Sequence, residues 1–114
     1  METKTLFQQI IDREIPAEIV FEDSDFIAFQ DINPQAPLHV LVCPKIPIKM
    51  LSHSSLEEVN LIGRLMRLGS TIAESAGYKD QFRAVINNGA EVGQTVFHLH
   101  LHILAGRKFS WPPG

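Results

Sequence analysis

Apolar and polar residues recur along this chain with two different periods, and the switches between them mark the elements. Leu6, Phe7, Ile10 and Ile11 stand three and four residues apart, the spacing of one helix face. They predict a short helix over residues 5–13, with Thr3 or Thr5 as its cap and Pro16 as its stop. Residues 19–22 and 26–31 read as two strands joined by the turn formers Asp23-Ser24-Asp25, hence a hairpin. Residues 33–37, with two prolines, predict a stiff loop. Residues 38–44 resume as a nearly continuous apolar strand, as in a sheet covered on both faces. His39 is its polar exception and by parity shares a face with Leu41 and Cys43.

A second broken stretch follows, and then Ser55 stands three residues before Glu58, the spacing of a capping box. The pattern predicts a long helix over residues 56–76. Val59, Ile62, Leu65, Met66, Ile72 and Ala73 form its apolar stripe and Gly77 is its C-cap. Leu61 and Leu68 widen that surface enough to meet a partner subunit as well as a sheet. Residues 82–86 predict another strand, and Asn88-Gly89 a tight turn after it. The last element, residues 94–104, alternates strictly. His98, His100 and His102 fall on one face of a strand, spread over roughly 13 Å, and Phe97, Leu99, Leu101 and Ile103 fall on the core face. The fold class is therefore α+β: about five mostly antiparallel strands, with one short and one long helix packed on one side.

Composition narrows the class. The 114 residues, 45% of them hydrophobic, suit one domain over residues 1–114 with its own core. A net charge of −3 without a basic cluster argues against a polynucleotide partner. Cys43 is the only cysteine, so no intramolecular disulfide can form, and its apolar neighbours predict a buried thiol. Met1-Glu2-Thr3-Lys4 opens an amphipathic pattern and not a secretory leader, and no apolar run approaches a membrane span. The cytoplasm is the expected compartment.

Three imidazoles at a spacing of two offer a nucleophile flanked by groups that stabilise charge or move a proton. Gly93 allows close backbone approach of a phosphate, and Gln94 and Thr95 add donors. Neighbouring imidazoles resist being charged together, so at least one stays neutral near pH 7. A metal site is the rival. The outer two histidines lie too far apart to join the middle one on one tetrahedral zinc, whose Zn–N bonds are only about 2.0–2.1 Å; a pair plus His39 is easier. No Cys-x-x-Cys, His-Glu-x-x-His or glycine-rich nucleotide motif is present.

The run Gln94-Thr95-Val96-Phe97-His98-Leu99-His100-Leu101-His102 resembles the signature of the histidine triad (HIT) superfamily. Phe7 with Ile10-Ile11, Glu14-Ile15-Pro16-Ala17, Phe29, Asp31-Ile32, Pro34-Gln35-Ala36-Pro37, His39 and the ending Trp111-Pro112-Pro113-Gly114 resemble its nucleotide-binding (HINT) branch. The resemblance implies a purine nucleoside phosphoramidase, a homodimer whose sheets join, and no metal or other cofactor. It implies that His100 is the nucleophile, that His98 and His102 contact phosphate and support proton movement, and that His39 completes the cluster. Asn87, Gln94 and Thr95 would line the phosphate side, with Gly93 beside them. Asp31 would bond the ribose, and Leu6, Phe7, Phe29 and Ile32 would enclose the purine. The tail from Trp111 would approach the partner's site. Thr95 stands where relatives often have serine, and Pro47 where many have histidine. Residues 40–44 equally resemble a dinucleoside polyphosphate hydrolase branch, so that activity stays open beside the phosphoramidase, as does a non-catalytic nucleotide-binding role.

Overall fold

The computed structural model describes residues 3–114; Met1 and Glu2, part of the expectation about the N-terminus, lie outside the described residues. Helix α1 spans Leu6–Ile11, and the strands are β1 (Ile19–Glu22), β2 (Phe26–Gln30), β3 (Leu38–Pro44), β4 (Arg83–Val85) and β5 (Leu101–Ala105). Helix α2 spans Val59–Ser75. The five strands form one antiparallel sheet in the order β1-β2-β3-β5-β4.

Local chemistry accounts for the boundaries. Thr5 caps α1, its hydroxyl accepting from the Gln8 N–H at 3.1 Å. Arg13, in the left-handed region at φ 62°, turns the chain out of the helix before Pro16 is reached. The β1–β2 turn is closed by the Asp23 carboxylate, which accepts from the N–H groups of Asp25 (2.8 Å) and Phe26 (2.7 Å). Ahead of α2, the Glu58 carboxylate accepts from the Ser55 N–H at 2.7 Å, and a single 3-10 turn, Leu56–Glu58, leads into the α-helix. Gly77, at φ 94°, ends it, as its position in the sequence predicts.

The two helices cover opposite faces of the sheet, which corrects the expectation that they share one. Phe26, Ala28, Val40, Val42, Leu101 and Ile103 pack with Leu65 and Ala73 of α2. The residues of opposite parity, Ile27, Phe29, Leu41 and Cys43, pack with Phe7 and Ile10 of α1. The physical reason lies in β2 and β3, where successive residues are buried whichever way they point. Both parity sets are apolar, so each face needs its own cover.

The histidine stretch departs further from expectation. β5 begins only at Leu101; residues 94–100 are irregular. The ladder between β3 and β5 ends at the pair Val42–Leu101 although β3 runs on to Pro44, because in this register Pro44 stands opposite Leu99 and has no N–H to donate. A short substitute contact remains, the Leu99 N–H donating to the Ile48 carbonyl at 2.6 Å. Parity survives without the ladder: Leu99 is buried with Leu101 and Ile103 on the α2 side. Phe97, expected in that row, is instead partly exposed beside the Lys49 ammonium, 5.6 Å from its ring centre. The turn expected at Asn88-Gly89 is the start of a longer connection, in which Gly89 (φ 106°) opens a 3-10 turn over Ala90–Val92. Among the described residues, no helix is long and apolar enough to cross a membrane.

Gly69 marks the closest approach of α2 to the sheet. A Cβ there would stand 2.7 Å from Leu101 Cδ2 and 2.8 Å from Ile103 Cδ1, both on fully buried side chains. Gly69→Val should therefore lose about 1–3 kcal/mol of stability through overpacking, despite the better helix propensity of valine. Urea unfolding of the two proteins checks this; an unchanged midpoint would mean that the helix can lift off the sheet at little cost.

Candidate active site

A cleft of about 350 Å³ opens on the α1 side of the sheet. α1 and the following residues Ile15, Pro16 and Ala17 form one wall, and the end of β2 with Asp31 and Ile32 a second. Gly93, Thr95 and Val96 form the rim, and His100 and His102 the polar end. The rest is apolar. Phe7 stands at its centre, edge-on to Phe29 (ring centres 5.2 Å apart) and to His100 (4.8 Å). Such a chamber suits a flat apolar group beside something that histidines can bind.

The four histidines do different things, and their hydrogen bonds say which. His98 is 1% exposed and does not reach the cleft; its Nε2–H donates to the Pro44 carbonyl at 2.7 Å. The expectation that its ring touches phosphate therefore gives way to an anchoring role. The carbonyl of the same residue accepts from His100 Nδ1 at 2.8 Å. A carbonyl can only accept, so Nδ1 carries the proton and Nε2 of the neutral ring keeps a lone pair. For His39 the logic is reversed. A backbone N–H, that of Gln35, donates to its Nδ1 at 3.0 Å. His39 Nε2 must then carry the proton, and it donates to His102 Nδ1 at 2.9 Å. His102 is left with Nε2–H as a donor. One end of the cleft thus offers an acceptor nitrogen on His100 and a donor nitrogen on His102, their ring centres 5.0 Å apart.

Charge states agree with these tautomers. Burial lowers the pKa of His39, against a smaller upward pull from the Asp31 carboxylate. Burial also lowers those of His98 and His100. His102 is pushed down to about 4, first by burial and then by the neighbouring His100 and His39. All four imidazoles are neutral at pH 7. Burial pushes the Cys43 thiol up, and it sits in the core behind Phe29 and Leu41, so it offers no nucleophile.

The remaining expected residues divide. Leu6, Phe7, Phe29, Asp31, Ile32, Gly93 and Thr95 all line the cleft, although Ile32 is 95% exposed and stands at its lip. Gln94 does not offer its side chain to a ligand. It is buried, its Oε1 accepting from the Gly89 N–H and its Nε2 donating to the carbonyls of Lys49 and Val96, so it pins the rim loop. Asn87 lies outside the cleft, beneath Gly93, whose Cβ position would be 3.6 Å from its Nδ2. Trp111 is 83% exposed and also outside the cleft. Gln30, Leu41 and Val96 line it without having been singled out from the sequence. Leu41 was within reach of parity, since it shares the face of His39; Gln30 and Val96 carry no such signal. Asp31, His39 and His102 each bring one potential ligand atom within 4.8 Å of the others. They fit a three-ligand cation site in residue type and spacing, at the cost of the His39–His102 hydrogen bond.

The chain is similar to known proteins along nearly its whole length. The family model described as the HIT domain matches residues 12–109. An uncharacterised HIT-like protein of Synechocystis is 60% identical over 114 residues, all of both chains. A 14 kDa zinc-binding protein of Zea mays is 41% identical over 99% of this chain and 90% of its own. A HIT family hydrolase of Legionella pneumophila superposes with a TM-score of 0.95 at 39% identity, over 97% of this chain and 100% of that one. A hypothetical histidine triad nucleotide-binding protein of Sulfolobus tokodaii gives 0.79 at 31%, over 93% and 71%. The match over nearly the whole sheet and both of its histidine-bearing strands makes this chain a member of the HIT domain family.

Proposed function

We propose that the protein is a purine nucleoside phosphoramidase of the HINT branch, a cytoplasmic homodimer that splits the P–N bond of an AMP- or GMP-linked amine through a nucleotidyl-His100 intermediate. The observation that carries this reading is the bond from His100 Nδ1–H to the His98 carbonyl, which leaves a lone pair on Nε2 at the polar end of an otherwise apolar cleft. The purine packs among Phe7, Phe29 and their apolar neighbours, and Asp31 accepts from the ribose hydroxyls. His100 Nε2 attacks phosphorus, and the P–N bond to the amine breaks as a P–N bond to His100 forms. The amine departs with a proton, for which His102 Nε2–H is the available donor. Water then attacks the same phosphorus, passing a proton to His102 Nε2, and the P–N bond to His100 breaks to release the nucleoside monophosphate and restore both histidines. The hydroxyl of Thr95 and the backbone at Gly93 face the phosphate from the rim.

The dimer rests on two exposed features. Leu56, Val59, Gly63 and Met66 follow one another at spacings of three and four on the outer side of the α2 region; Leu56 is 91%, Val59 62% and Met66 42% exposed. No heavy atom lies within 4 Å of a Cβ built on Gly63, which leaves room for a second helix to approach. β4 is an edge strand of the sheet, open to pairing with a copy of itself. The native protein should run at twice 12.8 kDa in light scattering. Met66→Glu should bring it to the mass of one chain, since a carboxylate would be buried unpaired. A native mass of one chain would remove the dimer from this reading.

His100→Ala should cut turnover of an adenosine phosphoramidate by about 10⁴–10⁶-fold, as loss of a nucleophile does in other enzymes, with nucleotide binding retained. Quenching the native enzyme during turnover in EDTA should yield a nucleotidyl adduct on His100, found by mass spectrometry. Dependence on added zinc, an adduct on another residue or faster cleavage of a diadenosine polyphosphate would each displace part of the reading.

The lowered histidine pKa values fix the acid limb. Only neutral His100 attacks, so kcat/KM should hold level from pH 8 to 6.5 and fall below, with a midpoint under the ordinary imidazole value of about 6.5. Stability follows in the same direction. Between 6.5 and about 4 the unfolded chain binds a proton at His102 that the folded chain refuses, so Tm should drop as pH falls through that window. A pH–rate profile with its midpoint above 6.5, or a Tm that rises on acidification, would contradict the assignment.

A further inference from the structure

We infer that Arg107 is a positioning residue that sets the tautomer of the His39–His102 pair from outside the cleft, through the peptide groups of Gln35. The inference rests on the hydrolytic reading above only for its kinetic arm. Arg107 Nε donates to the Gln35 carbonyl at 2.8 Å. The Gln35 N–H donates to His39 Nδ1 at 3.0 Å, and His39 Nε2 meets His102 Nδ1 at 2.9 Å. Three consecutive hydrogen bonds therefore run from an exposed guanidinium to the histidine that lines the cleft.

Geometry makes Arg107 the fixed end of this chain. Its guanidinium lies over the Phe109 ring, 4.1 Å from the centre, and its Nη1 donates to the Lys108 carbonyl at 3.0 Å. Arg83 closes the arrangement, lying 4.8 Å from the same ring centre and donating to the Ser110 carbonyl. Such a planar, stacked group loses little freedom on making one more bond. The loop it holds is stiffened by Pro34 and Pro37 and by the Asn33 N–H donating to the Asp31 carboxylate at 2.8 Å, but Gln35 itself has less support. Residues 32–35 are exposed, and Gln35 is otherwise tied down only by its side-chain amide on the Asn33 carbonyl, 3.0 Å away. Arg107 and Gln35 meet because both lie just beyond the last pair of the β3–β5 ladder, Leu38–Ala105. Gly106, at φ 99°, carries the chain against Pro37, where a Cβ would be 2.8 Å from the proline Cβ.

The chemical consequence follows from donor counting. With the Gln35 N–H in place, His39 can only present Nε2–H to His102, and His102 can only present Nε2–H to the cleft. If the Gln35 peptide swings away, part of the His39 population places its proton on Nδ1, against the preference of the Asp31 carboxylate, 3.5 Å from Nε2, for the Nε2–H form. Its Nε2 then becomes an acceptor, and His102 must turn its own proton inward to meet it. The cleft then faces a lone pair where the leaving group needs a donor. Substrate packing among Phe7 and Phe29 is untouched, so the loss belongs in kcat and not in KM.

The test pairs kinetics with tautomer. In Arg107→Ala, kcat for an adenosine phosphoramidate should fall by about 10- to 100-fold, the scale of a displaced catalytic group, with KM nearly unchanged. Arg107→Lys, which can still donate to the Gln35 carbonyl, should recover most of the loss. Long-range ¹H–¹⁵N NMR of the ring nitrogens should show His39 and His102 each as the single Nε2–H tautomer in the native protein, and as a mixture in Arg107→Ala. If Arg107→Ala does not fold, Arg107→Met, which keeps the length but has no donor, takes its place in both measurements. Unchanged histidine tautomers in the variant would overturn the inference whatever the kinetics. So would an altered KM at constant kcat. Absence of turnover by the native protein would count against the phosphoramidase reading alone, and the NMR result would still decide this one.

Discussion

The hydrogen bond from His98 Nε2 to the carbonyl of Pro44 holds the active end of this protein together. It stands where the β3–β5 ladder gives out. Pro44, the last residue of β3, has no N–H to continue the ladder, and the segment carrying His98 and His100 lies outside it. A buried imidazole bond replaces the missing ladder. Removing it would leave a buried carbonyl without a donor, a cost of about 1–3 kcal/mol. It would also release the His98 backbone, whose own carbonyl sets the proton on His100. One residue thus uses its side chain to fix the segment and its main chain to orient the next histidine, two residues on.

The same economy appears on the other side of the cleft. His39 sits on β3 opposite Leu104, and His102 on β5 opposite Leu41. The sheet register therefore places the two rings on adjacent strands, within hydrogen-bond reach. Main-chain groups again choose the tautomers, a carbonyl for His100 and an N–H for His39. The result is two neutral imidazoles of opposite polarity at the end of an apolar chamber. Burial keeps both uncharged, which preserves the lone pair on one and the neutral donor on the other. A more exposed arrangement would let both protonate in mild acid and lose the distinction.

Much of the fold was legible in the order of residues. The caps at Thr5, Ser55–Glu58 and Gly77, the Asp23 turn and the apolar β3 are local features, and local chemistry specifies them. The cleft residues from Leu6 to Thr95 were reachable because the resemblance covers almost the entire chain. The misreadings share one cause. Strict alternation over residues 97–103 signals a strand, but a ladder also needs donors on the partner, and Pro44 has no N–H. Gln94 offers an amide that reads equally well as a ligand contact or a loop pin; its three bonds to main-chain groups make it the pin. The apolar runs of β2 and β3 demand cover on both faces, but no period within either strand says which helix takes which.

Sequence alone therefore determined the elements, the family and the set of histidines, because periodicity, capping and short motifs act over a few residues. Tertiary structure decided what each histidine does. The Gln35 N–H and the His98 carbonyl that set the tautomers are local, but the contacts that give them a consequence are not: His39 meets His102 across 63 residues, and Pro44 anchors the His98 ring across 54. No spacing rule reaches across such a distance. A donor or acceptor at 3 Å is a property of the packed sheet and its loops, and it is there that four identical side chains become an anchor, an acceptor, a donor and its support.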